Sequence, residues 1–392
     1  MRIAIFGGSF NPPHTGHIEA AKAALSALSA DKLLIIPAAQ PPHKEQPKGG
    51  PSAEERFTLA RLAFQDLPKT EVSDLEQTRD GRSFTIDTLR LLKAQYPGAE
   101  LLLLMGTDML LCFEKWKDYT EIFKIADLAV FPRLGGEGEI IRREIARLES
   151  LYGVKIAEIN FSPTEISSTE LREKLQNREG EELVSPEVYE EIIRLRLYGA
   201  MPNLPWLRKM SYLFLDGKRI PHVRGCEEEA VRLAKRWDAD PDLAAEAGIL
   251  HDVTKKLNAD EQLKLCEKYG ILTDSDEKSN YKLLHSKTGA EFARHVFGVT
   301  DEVYSAIYWH TTAKENMSTL EKIIYMADYV EPNRVFPGVE KLRALAFNNL
   351  DEALILGLQM SLEELAKRGT LPHENSQKAL KWLINHRSTQ TY

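Results

Sequence analysis

The sequence runs to 392 residues, 43% hydrophobic and 28% charged, which is longer than one core usually grows and ordinary in composition for folded protein. A net charge of −8 disfavours wrapping a nucleic acid, and no stretch approaches the ~18 apolar residues of a membrane span. Three scattered cysteines, Cys112, Cys226 and Cys266, argue against a disulfide framework or a thiolate metal site.

The opening residues, MRIAIFGGSF, read as a strand rather than a secretory leader, which predicts a cytoplasmic location. Strand-like and helix-like segments then alternate: RIAIF, IEAAKAALSAL, KLLIIPA, and later LLLLMG, LAVFPR and VKIAEI between helical stretches. This predicts an α/β fold with a doubly wound parallel sheet. Residues 40–51, QPPHKEQPKGGP, are broken by Pro and Gly and predict a mobile loop beside a site.

The sheet pattern ends with PEVYEEIIRLRLYG, and the prolines of AMPNLPW break the periodicity. This places a domain boundary near Ala200, giving domains 1–200 and 201–392. Beyond it strand patterns nearly vanish, and Val223, Cys226, Ala230, Leu233 and Trp237 recur at helical spacing, predicting an all-α second domain.

The first chemistry-bearing segment follows the first strand: Gly7, Gly8, Ser9, Phe10, Asn11, Pro12, Pro13, His14, Thr15, Gly16, His17. Ligands of open α/β sheets bind at such a strand end, where glycines admit phosphates to the backbone and a helix N-terminus offers N–H groups. His14 and His17 lie three apart and project from one face of the first turn. Without a nearby Cys or carboxylate they suit phosphate oxygens better than zinc. Far along the chain, Ile166, Ser167, Ser168, Thr169 and Arg172 open a helix with hydroxyl caps and a cation one turn on, equally readable as an ordinary capped helix.

Together GGSFNPPHTGH and ISSTELR resemble nucleotidyltransferases of the HxGH type, and more closely the bacterial nicotinate-nucleotide adenylyltransferases. The resemblance spans residues 1–199 and includes PPHK at Pro41–Lys44, RSFTIDTL at Arg82–Leu89, MGTDML from Met105, Trp116, and FPR at Phe131–Arg133. It implies attack of the 5′-phosphate of nicotinate mononucleotide on the α-phosphorus of ATP. His14 and His17 would contact the ATP phosphates, Lys44 and Arg172 would hold the triphosphate, and Mg2+ would screen it. Thr85 and Trp116 would bind the nicotinate nucleotide, with the indole on the pyridine ring. Gly106, Asp108 and Arg133 would belong to the nucleotide-facing wall, though an aspartate at position 108 could equally cap the following helix.

The second half carries His222, His251, Asp252, His285, His310 and Asp328, each in or beside a helical pattern. Imidazoles and carboxylates on facing helices are how bundles build metal sites, although any one histidine alone reads as an ordinary core residue. The order resembles the HD superfamily of metal-dependent phosphohydrolases. That resemblance implies one divalent metal held by His222, His251, Asp252 and Asp328, and a second by Asp252, His285 and His310, the ion being iron, manganese or another divalent metal because N/O ligation does not select one.

GILHDVTKKLN, LLHSKTGAEFAR and HTTAKENMSTLEKIIYMADYVEPNR are similar, over residues 207–366, to HD hydrolases that split diadenosine tetraphosphate symmetrically into two ADP. On that likeness Lys255 and Arg334 would face the phosphates, and Thr311 and Thr312 would line the pocket. Ala313 stands where a glycine is expected. Other readings of this half are a broader nucleotide phosphohydrolase or cyclic-nucleotide phosphodiesterase, a nucleotide-binding regulator, and an oligomerisation scaffold. The partners implied are ATP, nicotinate mononucleotide and dinucleoside polyphosphates, and a homo-oligomer remains open.

Overall fold

Ile3, Ala4, Ile5 and Phe6 are buried in succession along the first strand, β1 (Arg2–Gly8), the mark of a strand covered on both faces. In the computed structural model, described for residues 1–41, 50–79, 81–274, 277 and 280–387, β1 is central. The other strands are β2 (Lys32–Pro37), β3 (Thr70–Val72), β4 (Glu100–Gly106), β5 (Ala126–Phe131) and β6 (Ile156–Glu158). They form one sheet in the order β3-β2-β1-β4-β5-β6, every neighbouring pair parallel.

The helices between and after them are α1 (Thr15–Ala27), α2 (Ala53–Phe64), α3 (Thr85–Gln95), α4 (Thr107–Leu111), α5 (Tyr119–Ile125), α6 (Gly138–Tyr152), α7 (Ser168–Gln176) and α8 (Pro186–Arg194). Alternate strand residues serve two cores. Ile3, Ile5, Leu101 and Leu103 pack with Ile86 and Leu89 of α3, and Ala4, Phe6, Leu33 and Leu102 pack with Ala20 and Ala24 of α1. The chain therefore reverses its winding between β1 and β4. A crevice opens at their C-terminal ends, where ligands of such sheets bind.

The chain divides into two units, Met1–Met201 and Pro202–Tyr392. Among its described residues the second is helical: α9 (Leu204–Tyr212), α10 (Ile220–Arg236), α11 (Pro241–Leu250), α12 (Ala259–Tyr269), α13 (Leu284–Phe297), α14 (Asp301–Trp309), α15 (Thr319–Val330), α16 (Val339–Asn348), α17 (Leu350–Lys367) and α18 (Glu374–Asn385). No helix among the described residues is long and apolar enough to cross a membrane.

Val223, Cys226, Ala230 and Leu233 form the buried stripe of α10. Trp237, one turn on, is half-buried and donates its indole N–H to Ala346 O at 2.8 Å. Helix α11 starts at Pro241 behind Asp240, whose side chain caps it. It crosses α10 at Gly248, where a Cβ would stand 2.8 Å from Glu227 Cα. Only glycine lets the two backbones meet there, and this contact brings His251, at the C-cap of α11, beside His222 of α10.

Candidate functional sites

After Gly7 and Gly8 the chain turns at Phe10, whose φ of 43° lies in the left-handed region. Its ring holds that conformation by inserting into the core against Phe6, Phe64 and His17, so the side chain anchors the loop and does not line the cleft. Asn11–Pro12 is a cis peptide. The backbone N–H of His14 donates to His17 Nδ1 at 3.2 Å, so the proton of a neutral His17 ring sits on Nε2.

His14 lies behind, with ring centroids 3.8 Å apart. Burial, and then the charge of Arg133, push its pKa down to about 3. The ring is neutral at physiological pH, and neither of its buried nitrogens has a hydrogen-bond partner.

The late segment docks directly on this loop. Ser167 caps α7, Ser168 Oγ donates to Pro12 O at 3.1 Å, and Arg172 donates to Asn11 O at 2.8 Å and to Thr169 Oγ1 at 3.0 Å. A cleft of about 520 Å3 results. One side carries Gly7, Gly8, Ser9 and His17, and another Ser167, Ser168, Thr169 and Arg172. Thr85 and Trp116 face it from α3 and from the turn after α4, with Gly106, Asp108 and Arg133 at the ends of β4 and β5.

Ile166 is half-buried at the edge of α7 and does not line the cleft. Lys44, with most of the loop expected at residues 40–51, lies outside the described residues. Several lining residues, Glu76 and Lys117 among them, carried no signal in the sequence. Glu76 is 7% exposed and accepts from Thr88 Oγ1 at 2.6 Å, while its Oε2 is buried without a partner.

In the second unit the six histidines and aspartates converge. His222 Nε2 is 2.9 Å from Asp328 Oδ1 and 3.3 Å from His251 Nε2, which in turn is 3.3 Å from Asp252 Oδ2. The other oxygen of Asp252, Oδ1, is 3.2 Å from His285 Nε2 and 3.7 Å from His310 Nε2. Asp252 thus faces one donor group with each oxygen. Its Oδ1 is buried with no hydrogen-bond partner.

Every histidine presents Nε2 because Nδ1 is engaged behind it. His251 Nδ1 meets Gly248 O at 2.8 Å, His310 Nδ1 meets Ile307 O at 2.6 Å, and His285 Nδ1 meets Lys282 O at 2.5 Å. His222 Nδ1 meets Glu331 Oε1 at 3.1 Å. In a neutral ring those acceptors place the proton on Nδ1, which directs the Nε2 lone pair into the cluster.

Burial opposes ionisation of Asp252, but His251, His285 and His310 outweigh it and hold the carboxyl well below the carboxylate range. Burial and Lys255 push His285 down to about 4. Burial lowers His310 as well, whereas for His251 burial is outweighed by Cys226 and Asp252, which raise it. An ionised Asp252 among imidazole nitrogens is a donor set a divalent cation can take by displacing that proton, so the set fits.

Cations ring the cluster. Arg219 Nε donates to Asp252 Oδ2 at 2.6 Å, Arg334 Nη2 to Asp328 Oδ1 at 2.7 Å, and Lys255 Nζ to His285 Nε2 at 2.9 Å. Burial lowers the pKa of Lys255. Thr311 Oγ1 donates to Ser286 Oγ at 2.9 Å, while Thr312 is buried with a bond to Ala313 O. Ala313 adopts φ 58°, the left-handed region a glycine would enter without steric cost.

Arg219 and Glu331 were not singled out from sequence, since a basic residue before a helix and an acidic one after it usually face water. A separate group, Asp274, Glu277 and His373, could also hold a metal. However, His373 Nδ1 accepts from Asn375 N at 3.1 Å and Lys287 pairs with Glu277 at 2.6 Å. The His373 proton then sits on Nε2, facing Asp274 at 3.1 Å, so the group is a hydrogen-bonded tie.

The chain matches two family models, Cytidylyltransferase-like over residues 5–174 and HD domain over residues 219–333. It is 30% identical to a Mycoplasma pneumoniae protein named "Probable nicotinate-nucleotide adenylyltransferase/Ap4A hydrolase", over 84% of this chain and 89% of that one. A Mycoplasma genitalium protein of the same name is 31% identical over 92% and 97% of the two chains. Among solved structures, a predicted HD superfamily hydrolase involved in NAD metabolism from Clostridium acetobutylicum is 35% identical over 47% of this chain and 99% of its own, at a TM-score of 0.46.

Proposed function

The chain belongs to the family of proteins named nicotinate-nucleotide adenylyltransferase/Ap4A hydrolase, and from that premise we propose that it carries out both reactions, one in each unit. Residues 1–200 transfer AMP from ATP to nicotinate mononucleotide. An oxygen of the mononucleotide's 5′-phosphate bonds to the α-phosphorus, the bond to the β-phosphate breaks, and pyrophosphate leaves with nicotinate adenine dinucleotide as product.

The docking of Ser168 and Arg172 on the carbonyls of Pro12 and Asn11 carries this reading, because it sets a helix N-terminus and a guanidinium against His17 at the sheet's switch point. His17 donates through Nε2–H to a phosphate oxygen, and neutral His14 supports it. The amides of Gly7 to Phe10 and of Ser167 to Thr169 receive phosphates, with Lys44 helping to hold the triphosphate and Mg2+ accompanying ATP. Trp116, whose buried Nε1 has no partner, stacks on the pyridine ring, Thr85 binds the same nucleotide, and nearby backbone amides meet its carboxylate. Asp108 and Arg133 bound the nucleotide.

Residues 201–392 hydrolyse diadenosine tetraphosphate to two ADP. The division of Asp252 between two imidazole groups carries this half. His222, His251, Asp252 and Asp328 would hold one divalent ion and Asp252, His285 and His310 a second, with iron, manganese or another divalent metal suited to such N/O ligands. Such ions, when bound, supply a hydroxide nucleophile and neutralise charge on the leaving phosphate. Arg219, Lys255 and Arg334 face the phosphate chain, and Thr311 and Thr312 border it. One water is added across the central bridge, with the bridging oxygen leaving on one ADP and the hydroxyl oxygen joining the other. The ligands are small nucleotides, and the cytoplasm is the setting.

A product assay on the full chain tests both halves. ATP with nicotinate mononucleotide should give equal amounts of dinucleotide and pyrophosphate, and nicotinamide mononucleotide should serve less well. Diadenosine tetraphosphate with iron or manganese should give two ADP. Release of ATP and AMP would overturn the symmetrical reading, and no dinucleotide from either mononucleotide would overturn the first.

A further inference from the structure

Arg56 is 1% exposed, on the first turn of α2. Its guanidinium donates to three backbone carbonyls, Ser9 O at 3.1 Å, Ala38 O at 2.6 Å and Ala39 O at 2.8 Å. No carboxylate pairs with it among the described residues. Its sequence neighbour Glu55 accepts instead from Ser52 N at 2.7 Å, and Glu54 is exposed. The titratable group that acts on it, the Tyr198 hydroxyl, is kept neutral by burial. Burial of a cation without a counter-charge is costly.

The carbonyls it holds lie on two segments that line the cleft, the loop after β1 and the residues after β2, whereas Arg56 itself does not line it. In a trans peptide the C=O and the following N–H point in opposite directions. Fixing Ser9 O and Ala38 O on Arg56 therefore turns the N–H groups of Phe10 and Ala39 away from it. Phe10 sits at φ 43°, a conformation that such an over-determined contact sustains.

We infer that Arg56 is the positioning residue of the polyphosphate subsite, orienting the amides of both segments, with the phosphates of a nucleoside triphosphate or pyrophosphate supplying the counter-charge it lacks. This rests on the adenylyl-transfer reading, and it places a functional cation beneath the loop in addition to the groups that face the ligand.

The test is binding of ATP and of inorganic pyrophosphate to the full chain by calorimetry, with KM for ATP and for nicotinate mononucleotide measured separately. Arg56→Met should weaken pyrophosphate and ATP binding by ~10-fold or more, as loss of several charge-assisted hydrogen bonds implies. KM for the mononucleotide should change little. Arg56→Lys should recover part of the loss, since an ammonium keeps the charge but lacks the planar fork, and it serves alone if the methionine variant does not fold. A purely structural arginine would lower the melting temperature yet leave pyrophosphate affinity at the wild-type value, and that result overturns the inference. Wild-type protein that binds neither ATP nor pyrophosphate would instead remove the adenylyl-transfer reading on which it rests.

Discussion

Glu331 accepts at Oε1 from His222 Nδ1, 3.1 Å away, while its Oε2 takes the backbone and side-chain N–H groups of Asn333 at 2.7 and 2.9 Å. The carboxylate rests on Gly225, where a Cβ would stand 2.3 Å from Oε2. Losing such a support behind a ligating histidine costs about 10–100-fold in metal affinity. Glu331→Ala should show that loss by metal titration, with Glu331→Gln intermediate. Gly225→Ala should act in the same direction without removing any ligand, because the new methyl displaces the carboxylate. A Gly225→Ala protein with wild-type metal affinity would contradict this arrangement.

The two oxygens of Asp252 serve different donor groups, so ligand substitutions should not be equivalent. Wild-type protein should bind two divalent ions per chain under saturating conditions, and His285→Ala only one. Asp252→Ala should weaken both and abolish hydrolysis. Equal metal content in the His285 and Asp252 variants, by elemental analysis, would contradict a shared bridging carboxylate.

His17→Ala should lower adenylyl transfer by about 10^2–10^3-fold in kcat, the range for removing one transition-state donor. Hydrolysis of diadenosine tetraphosphate by the same chain should be unchanged and reports that the protein is folded. Near-normal transfer would remove His17 from its role.

His14 gives a pH signature. Its folded pKa is about 3, below the ordinary imidazole value, so the unfolded chain takes up a proton first as pH falls. Stability from this group is intact above pH ~6.5 and declines toward pH ~3 by at most about 1.4 kcal/mol per unit. His14→Gln should flatten the acid side of the melting-temperature profile in that window. Parallel profiles for the two proteins would show that burial of His14 does not govern it.

The fold was legible because its signals are local. Short apolar runs ending at a glycine, such as IAIF and LLLLM, read as strands covered on both faces, and the stripe from Val223 to Leu233 reads as the core-facing side of a helix. Trp237 shows the limit of periodicity, since its indole N–H needs an acceptor and the ring settles half-buried against Ala346. Contiguous motifs such as GGSFNPPHTGH exposed their chemistry for the same local reason. Glu331, Arg219, Arg56 and Glu76 did not stand out, because each acquires meaning from a partner far away in sequence. Glu331 and His222 are 109 residues apart, and Arg56 meets Ser9 across 47. Nothing in one dimension distinguishes such residues from solvated charges.

Ser168 and Arg172 reach their acceptors on Pro12 and Asn11 across 156 and 161 residues of chain. Closing contacts over so long a span costs more chain entropy than the local pairings around them. Two hydrogen bonds at a half-exposed helix end are also among the first to open. With these two bonds open, the first unit would keep the glycine loop and both histidines but lack the helix terminus that completes the phosphate cradle. Catalytic competence in this unit therefore reports that the chain from the glycine loop through α7 is closed on itself.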